Sequence, residues 1–166
     1  MRLLVMSKLI EVAMASKSRK LRKSFKLILE PAMAEAGYVV DCPNFRRDRG
    51  DTLDVVDIQF WKEGGAFILN VARYVGPLEG LNGFSVPRDR IEIGMLPALR
   101  QDRIGPTKSK RMEKLVGWYK FDDIWDDQDS LDKLSEEVVG LLPQLEAWLE
   151  DGSMTPNISP ESSTYP

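Results

Sequence analysis

Histidine is absent from this chain, and cysteine occurs once, at Cys42. The first absence removes histidine general bases, the Ser-His-Asp and Cys-His arrangements, and most catalytic zinc sites. The second removes thiolate metal clusters and any internal disulfide, a usage that suits a reducing cytoplasm. No apolar run approaches the length of a membrane helix. The opening Met1-Arg2-Leu3-Leu4-Val5-Met6 ends at Ser7-Lys8, too short for a secretory core region. The start codon is left open between Met1 and Met6. Nor is there a phosphate loop, since Gly64-Gly65 and Gly76-Pro77-Leu78-Glu79-Gly80 lack its spacing and its lysine. Any chemistry would rest on carboxylates, lysine, tyrosine or an unassisted Cys42. The expectation is a cytoplasmic chain without metal, cofactor or catalysis.

What is present is charge, and it is segregated. Residues 1–50 carry 11 Lys and Arg against 5 Asp and Glu, and residues 51–120 carry 11 against 9. Residues 121–166 carry 1 against 12, so an overall charge of −3 hides a strong dipole. Such a distribution bears on partners and association rates rather than on fold.

At 166 residues the chain suits one domain, able to bury about two-thirds of its unfolded surface. A first helix is expected from about Ser7 to Ala36. Leu21, Phe25, Ile28, Leu29 and Ala32 share one face at helical spacing, and Arg19, Arg22, Lys23 and Lys26 the other. Pro31 should kink or restart it, and Gly37 should stop it. Tyr38-Val39-Val40 reads as a short strand, followed by a polar turn with Arg46, Arg47 and Arg49.

The clearest local signal is a hairpin. Leu53 to Trp61 and Ala66 to Tyr74 are strand-like runs on either side of Lys62-Glu63-Gly64-Gly65. Pairing Trp61 with Ala66 sets Phe60 against Phe67, Ile58 against Leu69 and Val56 against Val71, all apolar on one face. A slip of one residue would turn every side chain over, so this agreement fixes the register. Asp57 opposite Asn70, with Gln59, then forms a polar patch on the other face, expected to be flat and solvent-facing.

Ile91 and Ile93 suggest a further strand, as does Val116 to Phe121, and Arg100, Arg103, Lys108, Lys110, Arg111 and Lys114 make a second basic stretch. A last helix is expected from Leu131 to Glu150, capped by Asp129 or Ser130 and bent at Pro143, with a Leu/Trp stripe that reads as core. Ahead of it stand Asp122, Asp123, Asp126, Asp127 and Asp129. This cluster lacks the spacing of a calcium loop. It either favours the positive end of the following helix or meets a basic partner. The segment 152–166, rich in Ser, Thr and Pro, is expected to be disordered, leaving a single domain over 1–151.

The order of several short motifs resembles an uncharacterised bacterial family, domain of unknown function 4304. Ser24-Phe25-Lys26-Leu27-Ile28-Leu29-Glu30-Pro31 leads to Ala36-Gly37-Tyr38. Phe45-Arg46-Arg47 precedes Val56-Asp57-Ile58-Gln59-Phe60 and Phe67-Ile68-Leu69-Asn70-Val71. Leu99 to Gly105, Gly117-Trp118-Tyr119 and an acidic turn into a helix ending near Leu142-Pro143 complete the series, which spans about residues 20–150. The resemblance implies an α+β fold and no established chemistry. The family's association with defence and toxin neighbourhoods implies an immunity protein.

The sequence therefore leads to an α+β domain, with an antiparallel sheet of about four or five strands and the N- and C-terminal helices packed on one face. Its expected role is non-enzymatic protein binding, most concretely inhibition of a basic toxin such as a nuclease. Asp122, Asp123, Asp126, Asp127, Asp57, Gln59 and Asn70 are the expected contacts. One alternative is a nucleic-acid-binding protein using Arg19, Arg22, Lys23 and Lys26, with Arg46, Arg47 and Arg49. Another is a small enzyme in which Asp57, Gln59 and Asn70 work with Arg100 or Arg103, and Asp57 is the base.

Overall fold

A computed structural model describes residues 17–76, 86–96, 101–106, 117–153 and 155–160. It opens on a helical run, α1, over residues 17–35. Residues 17–24 are α-helical, Phe25–Leu29 form a π-helical stretch, and Glu30–Glu35 return to the α form. Pro31 accounts for the widened turn, because it has no N–H to donate and its ring crowds the carbonyl four residues back. The Glu30 N–H accordingly reaches five residues back to the Phe25 carbonyl. The expected break at Pro31 is thus absorbed one turn upstream as a bulge. Gly37, at φ +89°, ends the helix. Its N–H bonds Ala34 O and the Tyr38 N–H bonds Met33 O, both at 3.0 Å, the paired closure that a left-handed residue permits. Leu21, Phe25, Leu29 and Met33 are fully buried.

Four strands follow as a meander: β1 (Val39–Asp41), β2 (Asn44–Asp48), β3 (Thr52–Phe60) and β4 (Ala66–Val75). The β3–β4 hairpin has the register that its alternation requires, with Phe60, Ile58 and Val56 opposite Phe67, Leu69 and Val71. β5 (Gln101–Ile104) and β6 (Tyr119–Lys120) both pair with β4, and β7 (Ile158–Pro160) pairs with β5. The sheet therefore runs β1-β2-β3-β4-β5-β7 with β6 against β4.

The class is α+β with a mainly antiparallel sheet, as expected, and among the described residues seven strands join it, more than the four or five expected. β2 is built from the Arg46-Arg47 segment expected to be a turn, because both arginines find partners across the fold. β7 lies within the segment expected to be disordered. Ile158 is buried there, and a chain of amide bonds fastens the segment: Gln144 Nε2 donates to Asn157 Oδ1 at 3.1 Å, and Asn157 Nδ2 to Gly105 O at 3.0 Å. Strand structure is thus present beyond residue 151, at Ile158–Pro160. Ile91 and Ile93, expected on a strand, follow and enter single 3-10 turns at Arg88–Arg90 and Ile93–Met95.

The expected long C-terminal helix is two, α2 (Gln128–Val139) and α3 (Leu142–Asp151). Pro143 sits in the first turn of α3, where a missing N–H costs no helical bond, so the chain breaks before the proline instead of bending at it. The cap of α2 is Asp127, not Asp129 or Ser130. Its carboxylate accepts the Asp129 N–H at 3.1 Å and the Ser130 hydroxyl at 2.6 Å. Ser24 Oγ donates to Asp132 Oδ1 at 2.5 Å and pins α2 on α1.

All three helices cover one sheet face. Phe25, Leu29, Phe45, Val56, Phe67, Val71, Leu131, Val138, Leu145 and Leu149 belong to one buried cluster there. The other face carries two smaller clusters: Leu53, Val55, Ala72, Ile91, Ile93 and Leu96 at one end, and Ala66, Ile68 and Trp118 with Trp61 at the other.

Candidate functional site

The acidic turn joins β6 to α2. Its chain reverses through successive bonds: Phe121 N–H to Gly65 O at 2.8 Å, Ile124 N–H to Phe121 O at 3.2 Å, and Asp127 N–H to Ile124 O at 3.0 Å. Phe121 points into the core and is buried, Ile124 and Trp125 are half-buried, and Asp122, Asp123, Asp126 and Asp127 are exposed. Gly65 is required beneath the turn, since its φ is +76° and a Cβ there would stand 2.8 Å from the Asp122 Cβ.

The turn faces α1. Lys20 Nζ donates to Asp126 O at 3.2 Å, and the ammonium groups of Lys17 and Lys20 lie 5.8 and 5.3 Å from the Trp125 ring centre. The segregated charges of the sequence thus meet within the fold. The carboxylates themselves stay uncompensated: among the described residues Asp122, Asp123 and Asp126 enter no ion pair. Asp127 is spent on the cap, and the Ser130 hydroxyl holds its carboxyl below the usual range. Among the described residues no three acidic or thiol groups converge as a metal site.

The polar patch forms on the opposite sheet face. Asp57, Asn70 and Arg103 align across β3, β4 and β5 by register. Arg103 Nε donates to Asn70 Oδ1 at 3.2 Å, and Asn70 Nδ2 donates to Asp57 Oδ1 at 2.7 Å and Gln59 Oε1 at 3.1 Å. Gln59 is exposed, but Asp57, Asn70 and Arg103 are half-buried between the two apolar clusters. The patch is therefore a recessed stripe rather than the flat surface expected. Burial pushes the Asp57 carboxyl above its usual range, the Asn70 amide opposes this, and Glu92 adds to it. Arg100 lies outside the described residues. The seven expected contacts thus split into two groups on opposite faces, which one small interface cannot join.

Arg46 and Arg47 are withdrawn from any phosphate-binding role, at 5% and 7% exposure. Arg46 Nε donates to Ile91 O at 2.6 Å. Arg47 bonds Asp54 Oδ2 through Nε and Nη2 at 3.1 and 3.0 Å, Ala36 O at 2.9 Å and Glu146 Oε2 at 2.9 Å. Arg73 reaches Asp54 from the other side, at 2.6 and 3.0 Å, and donates to Leu149 O. Arg49, half-exposed, sits 3.9 Å from Asp54 and 3.8 Å from Glu146. The exposed cations of the basic face are Arg19, Arg22, Lys23 and Lys26. Asp54, Arg73 and Glu146 were not singled out by sequence reasoning. A signal existed, because Asp54 occupies a core-facing place in the alternation Asp54, Val56, Ile58, Phe60.

Burial and then Glu30 push the Cys42 thiol up to about 11, which disfavours its thiolate at neutral pH. No family model, curated protein or solved structure matches the chain. Among the described residues no helix is long and apolar enough to cross a membrane.

Proposed function

We propose that this chain is a non-enzymatic, cytoplasmic protein-binding module whose acidic turn receives a basic partner. The observation that carries this reading is the set of uncompensated, exposed carboxylates at Asp122, Asp123 and Asp126 around half-buried Trp125. Elsewhere in the fold Asp41, Asp48, Asp54 and Glu146 each stand within ion-pair distance of an arginine. The turn concentrates unpaired acids around an aromatic side chain, and complementary charge speeds association and selects partners. Trp125 adds an aromatic anchor of the kind that dominates interface energies, and the lysines over its ring illustrate the cations it favours. The resemblance to domain of unknown function 4304 makes the partner, most concretely, a basic toxin such as a nuclease, and the chain its inhibitor.

The test uses affinity capture from the native host with the wild type and with a variant carrying Asp122→Asn, Asp123→Asn, Asp126→Asn and Asp127→Asn. Asparagine caps a helix about as well as aspartate, so α2 is preserved. A basic protein held by the wild type and lost from the variant, more weakly held as salt rises, is the expected result. Recovery of the same proteins by both removes the turn as the interface.

A further inference from the structure

α1 and the segment entering α2 carry opposite charge side by side. On α1 the cations Arg19, Lys23 and Lys26 recur at helical spacing and are exposed. Beside them Asp123, Asp126 and Asp129 are exposed as well. Among the described residues none of these side chains enters an ion pair. The two stripes also stand level with each other. Lys20 Nζ donates to Asp126 O, Gln128 Nε2 donates to Ser24 Oγ, and Ser24 Oγ donates to Asp132 Oδ1. The contacts advance together along both segments, at an offset of 106 residues for Lys20 and of 104 and 108 for Ser24. By that offset Lys23 is level with Asp129, Lys26 with Asp132, and Arg19 with the turn between Asp123 and Asp126.

Such a surface is complementary to itself. A two-fold axis that lies between the two helices and runs along them exchanges left and right but preserves height. Each cation of one copy then faces the acids of the other at its own level, and the pairing occurs on both sides of the axis. Leu27, 62% exposed, follows Lys20 and Ser24 on the stripe of α1 that faces α2. It therefore lies beside the axis, where it meets its own symmetry mate. Lys133, level with Leu27, is offset within α2 by Glu136 and Glu137. Other occupants fit this face less well. A nucleic acid drawn to the cations would meet the acids at the same level. A membrane surface needs the apolar stripe of the helix, and Leu21, Phe25, Leu29 and Met33 are fully buried in the core.

We propose that α1 docks on the acidic turn and the start of α2 of a second copy of this chain, giving a salt-sensitive two-fold dimer. The inference rests on the reading of the turn as a surface for basic groups and deepens it. The second copy covers Asp123 and Asp126, so a basic partner must displace it. Surface ion pairs are individually weak, so the dimer is a loose one, with a Kd of about 100 µM.

Sedimentation equilibrium of the whole chain from about 10 µM to about 1 mM tests this. The wild type should dimerise in about 20 mM salt, and its Kd should rise about tenfold or more in about 0.5 M salt. One variant carries Arg19→Glu, Lys23→Glu and Lys26→Glu, and a second carries Asp123→Lys, Asp126→Lys and Asp129→Lys. Each alone should dimerise about tenfold more weakly or worse. An equal mixture of the two should associate at least as well as the wild type, because reversed cations then face reversed acids on both sides of the axis. All the replaced side chains are exposed, so both variants should keep the wild-type circular dichroism, and recovery in the mixture shows independently that both are folded. A wild type that stays monomeric at about 1 mM, a variant that dimerises like the wild type, or a mixture that does not associate overturns the proposal. A DNA duplex bound by a monomeric wild type and lost by the first variant assigns the face to nucleic acid instead. The first variant keeps the acids of the turn, so its capture of a basic protein from the native host tests the turn separately. Capture with no wild-type dimer removes only this inference, and a dimer with no capture removes only the foreign partner.

Discussion

Arg47 and Asp54 face each other across β2 and β3, joined by two hydrogen bonds at 3.1 and 3.0 Å, on the sheet face that the helices cover. Arg73 closes on the same carboxylate from β4, so one fully buried acid holds two guanidinium groups. Those guanidinium groups also bond the carbonyls of Ala36 and Leu149, at the ends of α1 and α3. The cluster therefore ties both helix ends to the sheet. Asp54→Asn keeps the shape but removes the charge that compensates two buried cations, and should cost about 3–5 kcal/mol. Urea unfolding measures it, and a loss below about 1 kcal/mol would show the arginines to be solvated.

Core energetics follow burial. Phe67 is fully buried, with the rings of Phe25 and Tyr119 each 5.1 Å away, and Phe67→Ala should cost about 3–5 kcal/mol. Leu69→Ala should cost about 2–5 kcal/mol. Phe60, which the alternation alone ranks with Leu69, is only half-buried beneath Arg22, so its truncation should cost less than either. Thermal or urea denaturation of the three variants gives the order, and Phe60→Ala as the most damaging change would contradict the packing.

The legible parts of this fold are those whose partners lie close in sequence. Five residues separate the arms of the β3–β4 hairpin, and its alternation exposes the register directly. The polar patch was legible for the same reason, since Asp57 and Asn70 are opposite each other in that hairpin. β2 was hidden because Arg46 and Arg47 read as turn residues, and the partners that let them enter a sheet include Ile91 and Glu146, far along the chain. β7 was hidden inside a Ser/Thr/Pro-rich tail, where the bonds from Asn157 and to β5 come from residues far along the chain. The break between α2 and α3 was masked by a Leu/Trp stripe that continues across it. The recess around Asp57 depends on Ile91, Ile93 and Trp118, which local pattern cannot bring to the sheet.

Gly65 and Gly50 separate two costs of side-chain addition. Both have positive φ, +76° and +84°, but a Cβ at Gly50 meets nothing within 4 Å, whereas at Gly65 it meets Asp122. Gly50→Ala should cost only the left-handed strain, about 1–2 kcal/mol. Gly65→Ala should exceed it by at least about 1 kcal/mol, because the acidic turn must shift as well. Equal losses in denaturant titration would mean that the turn yields freely. If the proposed interface is right, Gly65→Ala should also weaken partner binding while Gly50→Ala leaves it intact.

Asp57 gives a pH signature whose sign follows from its burial. Its folded pKa is raised above the unfolded value of about 3.9, chiefly by desolvation. Below both values the carboxyl is neutral in either state and contributes no penalty. As pH rises through the unfolded value the unfolded chain ionises first, stability falls until the folded pKa is passed, and the loss then stays constant. Asp57→Asn removes that loss, and its side-chain oxygen can still accept from Asn70. The variant should therefore melt higher than the wild type at pH 7, with the gain shrinking toward nothing near pH 3. The comparison isolates Asp57 from Asp127 and Asp132, whose lowered pKa values act in the opposite direction and are common to both proteins. A gain equal at both pH values, or a loss at pH 7, would show that the carboxylate is held by its hydrogen bonds more strongly than burial disfavours it.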